Sequence, residues 1–428
     1  MTGRRIRLLL ASLVLVASPS LAAAQTPGQD ASSPEASAAT TRAGALEAAR
    51  RAKAEQLSPP RASRAEAAFL YVEETRLLGR LFNPPAGWFV QVGGLSEGSG
   101  LALGTAYRFP DGQGGALDLR GVGSIGGAWL ADLSWRSDSG QDDRVALTAN
   151  LALERHANQR FYGLGPETTK AYDSGFDLDE RHAEGAVVVR LNRWMRAAAG
   201  GGLGRLEVTE LDLDFDDDDD AAVASSDDLQ VRQFREGLIP GLRDASTLLR
   251  TNVDLIVDTR GERGRAGARI DVRQAWYRAR EHVLHDFAAT RIDAQAFIPV
   301  WNGTRTFALR LAADRLDPAD GHRVPFYLQP TVGGSRTLRA FDRQRFRDLS
   351  TLLLQAEYRY EINPFVSGAI FVETGQVAPD WKYLRADRFR GDYGIGLRAG
   401  YERVVVLRTD LAFGGEGPRL IIALNGVF

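Results

Sequence analysis

The length, composition and charge of the chain exclude several classes of protein. It has 428 residues, 44% hydrophobic and 25% charged, with no cysteine and a formal net charge of −2. Without cysteine there is no disulfide framework, thiol catalysis or cysteine zinc site, and without an excess of basic residues nucleic acid is not expected as a partner. No run of about 18 apolar residues follows residue 25, which excludes transmembrane helices.

The first 24 residues have the pattern of a secretory signal peptide. Three arginines among residues 4–7 precede a short apolar run at 8–16, and small residues at 22–24 offer a cleavage site before Gln25. The apolar run is too short to span a bilayer. We therefore expect residues 1–24 to be removed and the mature protein to be exported.

The segment that follows predicts helices and no strands. Residues 25–43 are rich in Ala, Ser, Thr and Pro, a composition typical of a disordered lead. Residues 44–86 predict two short helices that end at proline pairs, and we expect this segment in the periplasm. The helices either lie against the neighbouring domain or dock a partner protein.

From residue 87 to residue 428 the pattern changes to a period-2 alternation, which is typical of β-strands. In 305–314, for example, Phe307 and Leu309 share one face and Arg310 lies on the other. The polar face of most strands carries both acidic and basic residues. We therefore expect that face to line a water-filled lumen while the apolar face contacts lipid. Counting the segments predicts an all-β fold, a 16-stranded antiparallel transmembrane β-barrel, rather than a soluble sandwich.

The predicted connections differ in length at the two ends of the barrel. Turns of a few residues alternate with long connections at 155–180, 209–247, 315–349 and 376–389. Short periplasmic turns and long external loops are typical of bacterial outer-membrane barrels. The expected location is therefore a Gram-negative-type outer membrane, with lipid and lipopolysaccharide around the barrel.

The final strand predicts an assembly signal. Leu420, Ile422, Leu424 and Phe428 fall on one alternating face, and the sequence ends on that aromatic residue. A terminal Phe in this register resembles the signal by which outer-membrane proteins reach the barrel assembly machinery. We therefore expect that machinery as a partner during biogenesis.

Three late segments resemble a known family. They are Gly-Gly-Ser-Arg-Thr-Leu-Arg-Ala-Phe at 333–341, Leu-Leu-Leu-Gln-Ala-Glu-Tyr-Arg-Tyr at 352–360 and Ile-Phe-Val-Glu-Thr-Gly at 370–375. Together they resemble the bacterial surface antigen barrels, the superfamily that includes BamA, TamA and FhaC. Ala340 departs from the pattern, because the family usually has Gly there. The count of 16 strands, and the place of the first segment after the eleventh, agree with the resemblance.

The resemblance implies that the loop 315–349 folds into the lumen and is held there by an arginine. By position Arg339 matches the arginine at the loop tip, and Glu357 and Glu373 match its acidic partners on the next two strands. The loop motif also includes Gly333, Gly334, Leu338 and Phe341. Period-2 counting places both glutamates on the luminal face, where a guanidinium would make directional, charge-assisted bonds. The alternative is that the arginines of 336–347 form a basic external loop that meets lipopolysaccharide phosphates.

By resemblance, the function would be translocation, insertion or secretion of protein or lipid at the outer membrane, without enzymatic activity or a cofactor. Family members that insert or secrete proteins carry periplasmic POTRA modules. The region before residue 87 shows no strand pattern, so no POTRA module is expected and a separate periplasmic protein could supply one. Two alternatives remain open: a passive porin-like channel for small solutes, and a surface structural or adhesion barrel that acts through loops 155–180 and 209–247.

No catalytic residue or metal site is predicted. The acidic run within 212–228 lacks the spaced ligands and turn glycine of a calcium loop, so a solvated acidic tip is the expected interpretation. The five histidines contain no helix-spaced pair. Glycine-flanked serines such as Ser99 have no histidine nearby in the sequence to activate them.

Overall fold

The computed structural model describes part of the chain. It covers residues 82–424 except 113, 138–143, 171–172, 213–238, 243–244, 262–265, 281–283, 301–303, 364 and 402–403. The predicted signal peptide, the disordered lead, almost all of the helical segment 44–86 and Phe428 lie outside the described residues. Most of the acidic run 212–228 does as well.

The described residues are almost entirely β-strand. The strands are β1 (Gly87–Gly93), β2 (Ala102–Pro110), β3 (Ala116–Ser124), β4 (Trp129–Arg136), β5 (Val145–Phe161), β6 (Ser174–Arg190), β7 (Met195–Asp212), β8 (Ser246–Asp258), β9 (Gly267–Ala279), β10 (Phe287–Val300), β11 (Arg305–Pro318), β12 (Thr331–Val332), β13 (Phe346–Arg347), β14 (Ser350–Asn363), β15 (Val366–Ala378), β16 (Arg390–Tyr401), β17 (Val404–Gly414) and β18 (Gly417–Ala423). Short 3-10 helices lie at Phe326–Leu328, Trp381–Tyr383 and Ala386–Arg388. Within this part of the chain, no helix is long and apolar enough to cross a bilayer.

Sixteen of these strands form one sheet. The strand order follows the sequence from β1 to β11, continues with β14, and ends at β18. The first and last strands of the sheet are therefore β1 and β18. Neighbouring strands are antiparallel throughout, as in the pairing of β11 with β14. The hairpin β12–β13 stands apart from the sheet. The all-β fold and the count of 16 strands predicted from the alternation are confirmed.

At the long-loop end, β5 and β6 extend beyond the lengths that the sequence predicted. β5 ends at Phe161 and β6 begins at Ser174, so the connection is 162–173 and the expected loop 155–180 was too long. The reason is that the outer face becomes polar there. Arg155 and Asp179, for example, form an ion pair with 2.7 Å between Nε and Oδ1. The part of a strand that lies outside the lipid does not need an apolar outer face. Without the alternating pattern, its sequence is similar to that of a loop.

The two faces of the sheet have different chemistry. On β5, Leu147, Leu151 and Leu153 are 44%, 54% and 48% exposed, as expected of side chains that meet lipid. The opposite face carries ion pairs between neighbouring strands, such as Arg120 with Asp132 at 2.6 Å. The predicted polar lumen and apolar exterior match this division.

A large apolar cluster lies at the long-loop end, where the interior face would otherwise be polar. Its buried members are Phe161, Phe176, Leu178, Leu206, Ile239, Leu248, Phe287, Leu316, Val324 and Phe326. Phe326 is completely buried and makes edge contacts with Phe161 and Phe176, each with 4.9 Å between ring centroids. The ends of several strands are therefore joined to the loop that follows β11 by hydrophobic packing.

Candidate functional site: the loop between β11 and β14

The loop 319–349 packs against the interior face of the sheet. Val332, Leu338, Phe341 and Phe346 are at most 5% exposed and pack with apolar residues of β14 and β15. The hairpin β12–β13 pairs Val332 with Phe346, which brings the two arms of the loop together. These apolar contacts hold the loop within the space enclosed by the sheet.

Two glycines shape the turn that precedes the loop tip. Gly333 and Gly334 have φ values of 116° and 105°, a region that side chains with a Cβ rarely adopt. A Cβ on Gly333 would lie 2.3 Å from the carbonyl oxygen of Asp342. The amide of Gly334 donates to the carbonyl oxygens of Leu338 and Phe341 at 3.1 and 3.2 Å, which closes a compact turn. This turn presents Arg339 at its end.

Arg339 is completely buried and lies among three carboxylates. Its Nη1 is 2.9 Å from Oδ2 of Asp410, and its Nη2 is 3.0 Å from Oε1 of Glu373. Nη2 also donates to Glu357. The guanidinium stacks on the ring of Phe371, with 3.7 Å from Cζ to the ring centroid. Burial opposes the charged form, but the surrounding carboxylates prevail and raise the pKa of Arg339 above its ordinary value.

The backbone of the loop tip is also bound to the wall. The amide of Arg339 donates to Oε2 of Glu373 at 3.1 Å, and the amide of Ala340 donates to Oδ2 of Asp392 at 2.8 Å. A Cβ on Gly414 would lie 2.7 Å from Cβ of Ala340, so the wall opposite Ala340 must lack a side chain. The tip therefore fits against β15, β16 and β17 through backbone as well as side-chain contacts.

Arginines of the barrel wall extend the charge network around Arg339. Glu357 accepts from Nε of Arg359 at 2.7 Å and from Nη2 of Arg398 at 2.9 Å. Nη1 of Arg408 is 3.5 Å from Oδ2 of Asp410. Glu357, Glu373 and Asp410 each have an arginine within 3.5 Å, which offsets part of the cost of burying their charge. We call these residues and the loop tip the Arg339 cluster: Arg339, Glu357, Arg359, Glu373, Asp392, Arg398, Arg408 and Asp410.

The structure brings together the three residues that the sequence singled out, Arg339, Glu357 and Glu373. It adds Asp410 and Asp392, which the sequence analysis missed. Asp410 alternates with other luminal residues along β17, so its face was readable from the sequence. Its height along the barrel relative to Arg339 could not be read from the sequence, because that height depends on the register between strands.

A second arginine holds the loop at the external end. Arg347 is 2% exposed, and its Nη1 donates to the carbonyl oxygen of Phe326 at 2.7 Å. Its guanidinium lies 5.8 to 5.9 Å from the ring centroids of Phe161, Phe176 and Phe326. Among the described residues no carboxylate pairs with it, and burial lowers the pKa of Arg347 to about 9.

The arginines of the loop do not form a basic surface as a group. Arg339, Arg345 and Arg347 are at most 5% exposed. Arg345 bonds to Glu416, with 2.6 Å between Nε and Oε1. Among the five arginines in 336–347, Arg336 is exposed and Arg343 is half-buried. The alternative of a basic external loop is therefore wrong for three of the five.

Two sizeable cavities lie among the described residues, and the second is lined in part by the loop. One of about 800 Å³ lies inside the sheet toward the short-turn end and is lined by charged residues such as Arg108, Glu184 and Arg250. The other, of about 850 Å³, lies between the β1–β2 connection and β18, the two edges of the strand order. We call the second one the seam cavity. Arg343 of the loop and Ile422 of β18 both line it.

The comparisons with known proteins identify the family. The sequence model of the Omp85 superfamily domain matches residues 112–416, more than half of the chain. The chain belongs to the Omp85 superfamily. The BamA-like barrel expected from the late segments is confirmed at this level. No curated protein matches the chain.

Among the solved structures similar to this Omp85 protein, a BamA barrel shares its fold. BamA from Haemophilus ducreyi, solved without POTRA domains 1–3, is 16% identical with a TM-score of 0.58, and the match covers 79% of this chain and 70% of that one. CdiB from Acinetobacter baumannii is 12% identical, with a TM-score of 0.46 over 79% and 59% of the two chains. CdiB from Escherichia coli is 13% identical, with a TM-score of 0.48 over 79% and 61%.

Proposed function

We propose that this Omp85 barrel translocates, inserts or secretes a polypeptide or lipid at the outer membrane, with the loop 319–349 held across its lumen by Arg339. The observation that carries the proposal is the complete burial of Arg339 among Glu357, Glu373 and Asp410. A loop tip fixed inside the lumen blocks or narrows the passage, and a pore that stays open does not require this. A barrel that opens only for its substrate does.

The seam between β1 and β18 is the proposed exit. Both strands have 7 residues, whereas β7 has 18, so the seam offers few backbone hydrogen bonds. The seam cavity combines apolar Leu420 and Ile422 with basic Arg343 and Arg419. Such a surface suits an amphipathic substrate that leaves the lumen sideways into the membrane.

A passive channel is the second candidate, favoured by the charged cavity of about 800 Å³ inside the sheet. The two functions predict different consequences of closing the seam. A solute that crosses through the lumen does not need the seam. A substrate that leaves sideways does.

A reversible cross-link tests the proposal. Because the chain has no cysteine, Leu95→Cys with Leu424→Cys, both lining the seam cavity, can be joined by a bis-methanethiosulfonate linker. We expect cells with the linked barrel to show the outer-membrane protein and lipid changes of a deletion strain, and a reductant to reverse them. A matched control links Leu151→Cys to Ala183→Cys, which are already paired between β5 and β6. Wild-type outer-membrane composition with the linked seam would reject lateral exit and favour the passive channel.

A further inference from the structure

Two histidines and two glutamates meet on the luminal face of β5 and β6, separate from the Arg339 cluster. Glu154 lies directly opposite Glu180 in the register of these strands. Like charges in that position destabilise a strand pair unless a cation lies between them. The flanking in-register residues are Leu130 on β4 and Leu206 on β7, which bring no charge.

Other luminal carboxylates are paired with arginine. Arg108 with Asp118 and Arg310 with Asp293 are examples, each at 2.6 Å. In the described part of the chain, the ion pairs of Glu154 and Glu180 are with histidine.

The spacing of the donor atoms fits one metal ion. Nε2 of His156 lies 3.6 Å from Oε2 of Glu154 and 3.7 Å from Oε2 of Glu180. Nδ1 of His182 lies 3.8 Å from Oε1 of Glu154 and 3.3 Å from Oε1 of Glu180. Donors bound to a tetrahedral Zn²⁺ at about 2.0–2.2 Å lie roughly 3.3–3.6 Å from one another. One donor atom each of Glu154, His156 and Glu180 lies within 4.8 Å of the others, so these three side chains can converge on one ion. His182 reaches the same two carboxylates through their other oxygens and is the proposed fourth ligand.

The hydrogen bond at Nε2 of His182 turns its Nδ1 toward the two glutamates. The amide nitrogen of Asn150 donates to Oδ2 of Asp132 at 3.2 Å, so the amide oxygen faces Nε2 of His182 at 2.9 Å as an acceptor. The ring proton therefore lies on Nε2. Nδ1 is buried, and no hydrogen bond to it is found within the described residues. In metal sites, a ligating histidine donates its other ring N–H to such a partner.

The backbone also places His156 toward this group. The register of β5 against β6 shifts between His156 and Gln159, and Asn158 there has a φ of 56°. An extra residue of this kind bends a strand and redirects the side chains beside it.

We propose that Glu154, His156, Glu180 and His182 form a binding site for a divalent transition-metal ion such as Zn²⁺. Two imidazoles and two carboxylates are ligands that Zn²⁺ accepts. The side chains are 20% to 28% exposed, so an ion can reach them from the lumen. The ion would join β5 to β6 and neutralise the opposed glutamates. The site is independent of the function proposed above.

Metal binding to the purified barrel tests this site. The protein, prepared without a histidine tag and stripped with chelator, is titrated with Zn²⁺ by calorimetry, and the bound metal is counted by mass spectrometry. We expect one Zn²⁺ per chain, and at least tenfold weaker binding in His182→Gln and in Glu180→Gln. Asn150→Ala should weaken binding by about 10- to 100-fold, because it releases the ring of His182.

His322→Gln is the matched control, since His322 lies in the loop 319–349 and accepts from the amide of Asp286 at 2.9 Å. It should bind Zn²⁺ like the wild type. A heat-modifiability gel establishes that each variant folds. The proposal is overturned if the folded wild type binds no more Zn²⁺ than the His156→Gln, His182→Gln double variant, or if His322→Gln loses as much affinity as His182→Gln.

Discussion

Replacing Arg339 by alanine should release the loop between β11 and β14 while the barrel stays folded. The guanidinium is completely buried, contacts Glu357, Glu373 and Asp410, and stacks on Phe371. Removing one partner of a buried ion pair costs about 3–5 kcal/mol, because the carboxylates lose their bridge. At about 1.4 kcal/mol per factor of ten, the open state of the loop should rise by roughly two to four powers of ten.

The barrel wall should survive this change because its strand pairing does not depend on the loop. β14 pairs with β11 and β15 through antiparallel ladders of more than ten residue pairs each. Arg339→Lys should have an intermediate effect, since lysine keeps the charge but loses the planar fork and the stacking on Phe371. The folded yield on unheated gels should be the same for both variants and the wild type.

Trypsin cleavage of the loop in purified barrels measures the effect. Arg343 and Arg345 remain as cleavage sites, and the cleavage rate follows the population of the open loop when opening is fast. Arg336→Lys is the matched control, because Arg336 lies in the same loop but is exposed, and lysine keeps the trypsin site. We expect fast cleavage and raised planar-bilayer conductance in Arg339→Ala, and wild-type values in Arg336→Lys. Equal cleavage rates and equal conductance in all three proteins would refute the reasoning.

A double-mutant cycle separates the contact from general loosening. Arg339 and Glu373 meet through side chains at 3.0 Å and through the Arg339 amide at 3.1 Å. The two alanine substitutions should therefore be less than additive in the free energy of loop opening, with a coupling of about 0.5–3 kcal/mol. Strict additivity would mean that these residues do not act on the loop together.

Three further outcomes are expected. Gly333→Ala should cost about 1–3 kcal/mol and speed trypsin cleavage of the loop, because of its φ of 116° and the nearby oxygen of Asp342; Gly121→Ala, with open space around its Cβ, should not. Burial raises the pKa of Asp348 to about 6, so its contribution to stability is largest below about pH 4 and is lost as the pH rises through about 6. Asp348→Asn should therefore raise the melting temperature at about pH 7.5 and leave it unchanged at about pH 3.5; equal shifts at both would contradict this. Deleting Phe428 should lower the amount of folded barrel in the membrane several-fold without altering the conductance of barrels that do fold, and an unchanged folded amount would exclude the assembly role.

The sequence by itself determined the strand count and the two faces of the sheet. Side chains alternate with a period of two, so every lipid-facing residue identifies its neighbours as luminal. This rule uses only residues that are close together in the sequence, and therefore the count of 16 strands could be predicted without knowledge of the fold. It stopped being informative where β5 and β6 leave the lipid, because Arg155 and Asp179 make the outer face polar too.

Only the tertiary structure decided which luminal residues meet. Alternation tells which face of the sheet a residue lies on. It does not tell how high along the barrel the residue lies relative to residues of other strands, because that depends on the register between strands. The register brings Asp410 into contact with Arg339, although the two residues are 71 positions apart in the sequence. His156 and His182 lie far apart in the sequence and have no helical spacing, yet the pairing of β5 with β6 and a shift in its register bring them to the same two glutamates. Contacts of this kind arise from the closing of hydrogen-bonded ladders between distant segments, and a periodic pattern in one strand carries no record of its neighbour's register.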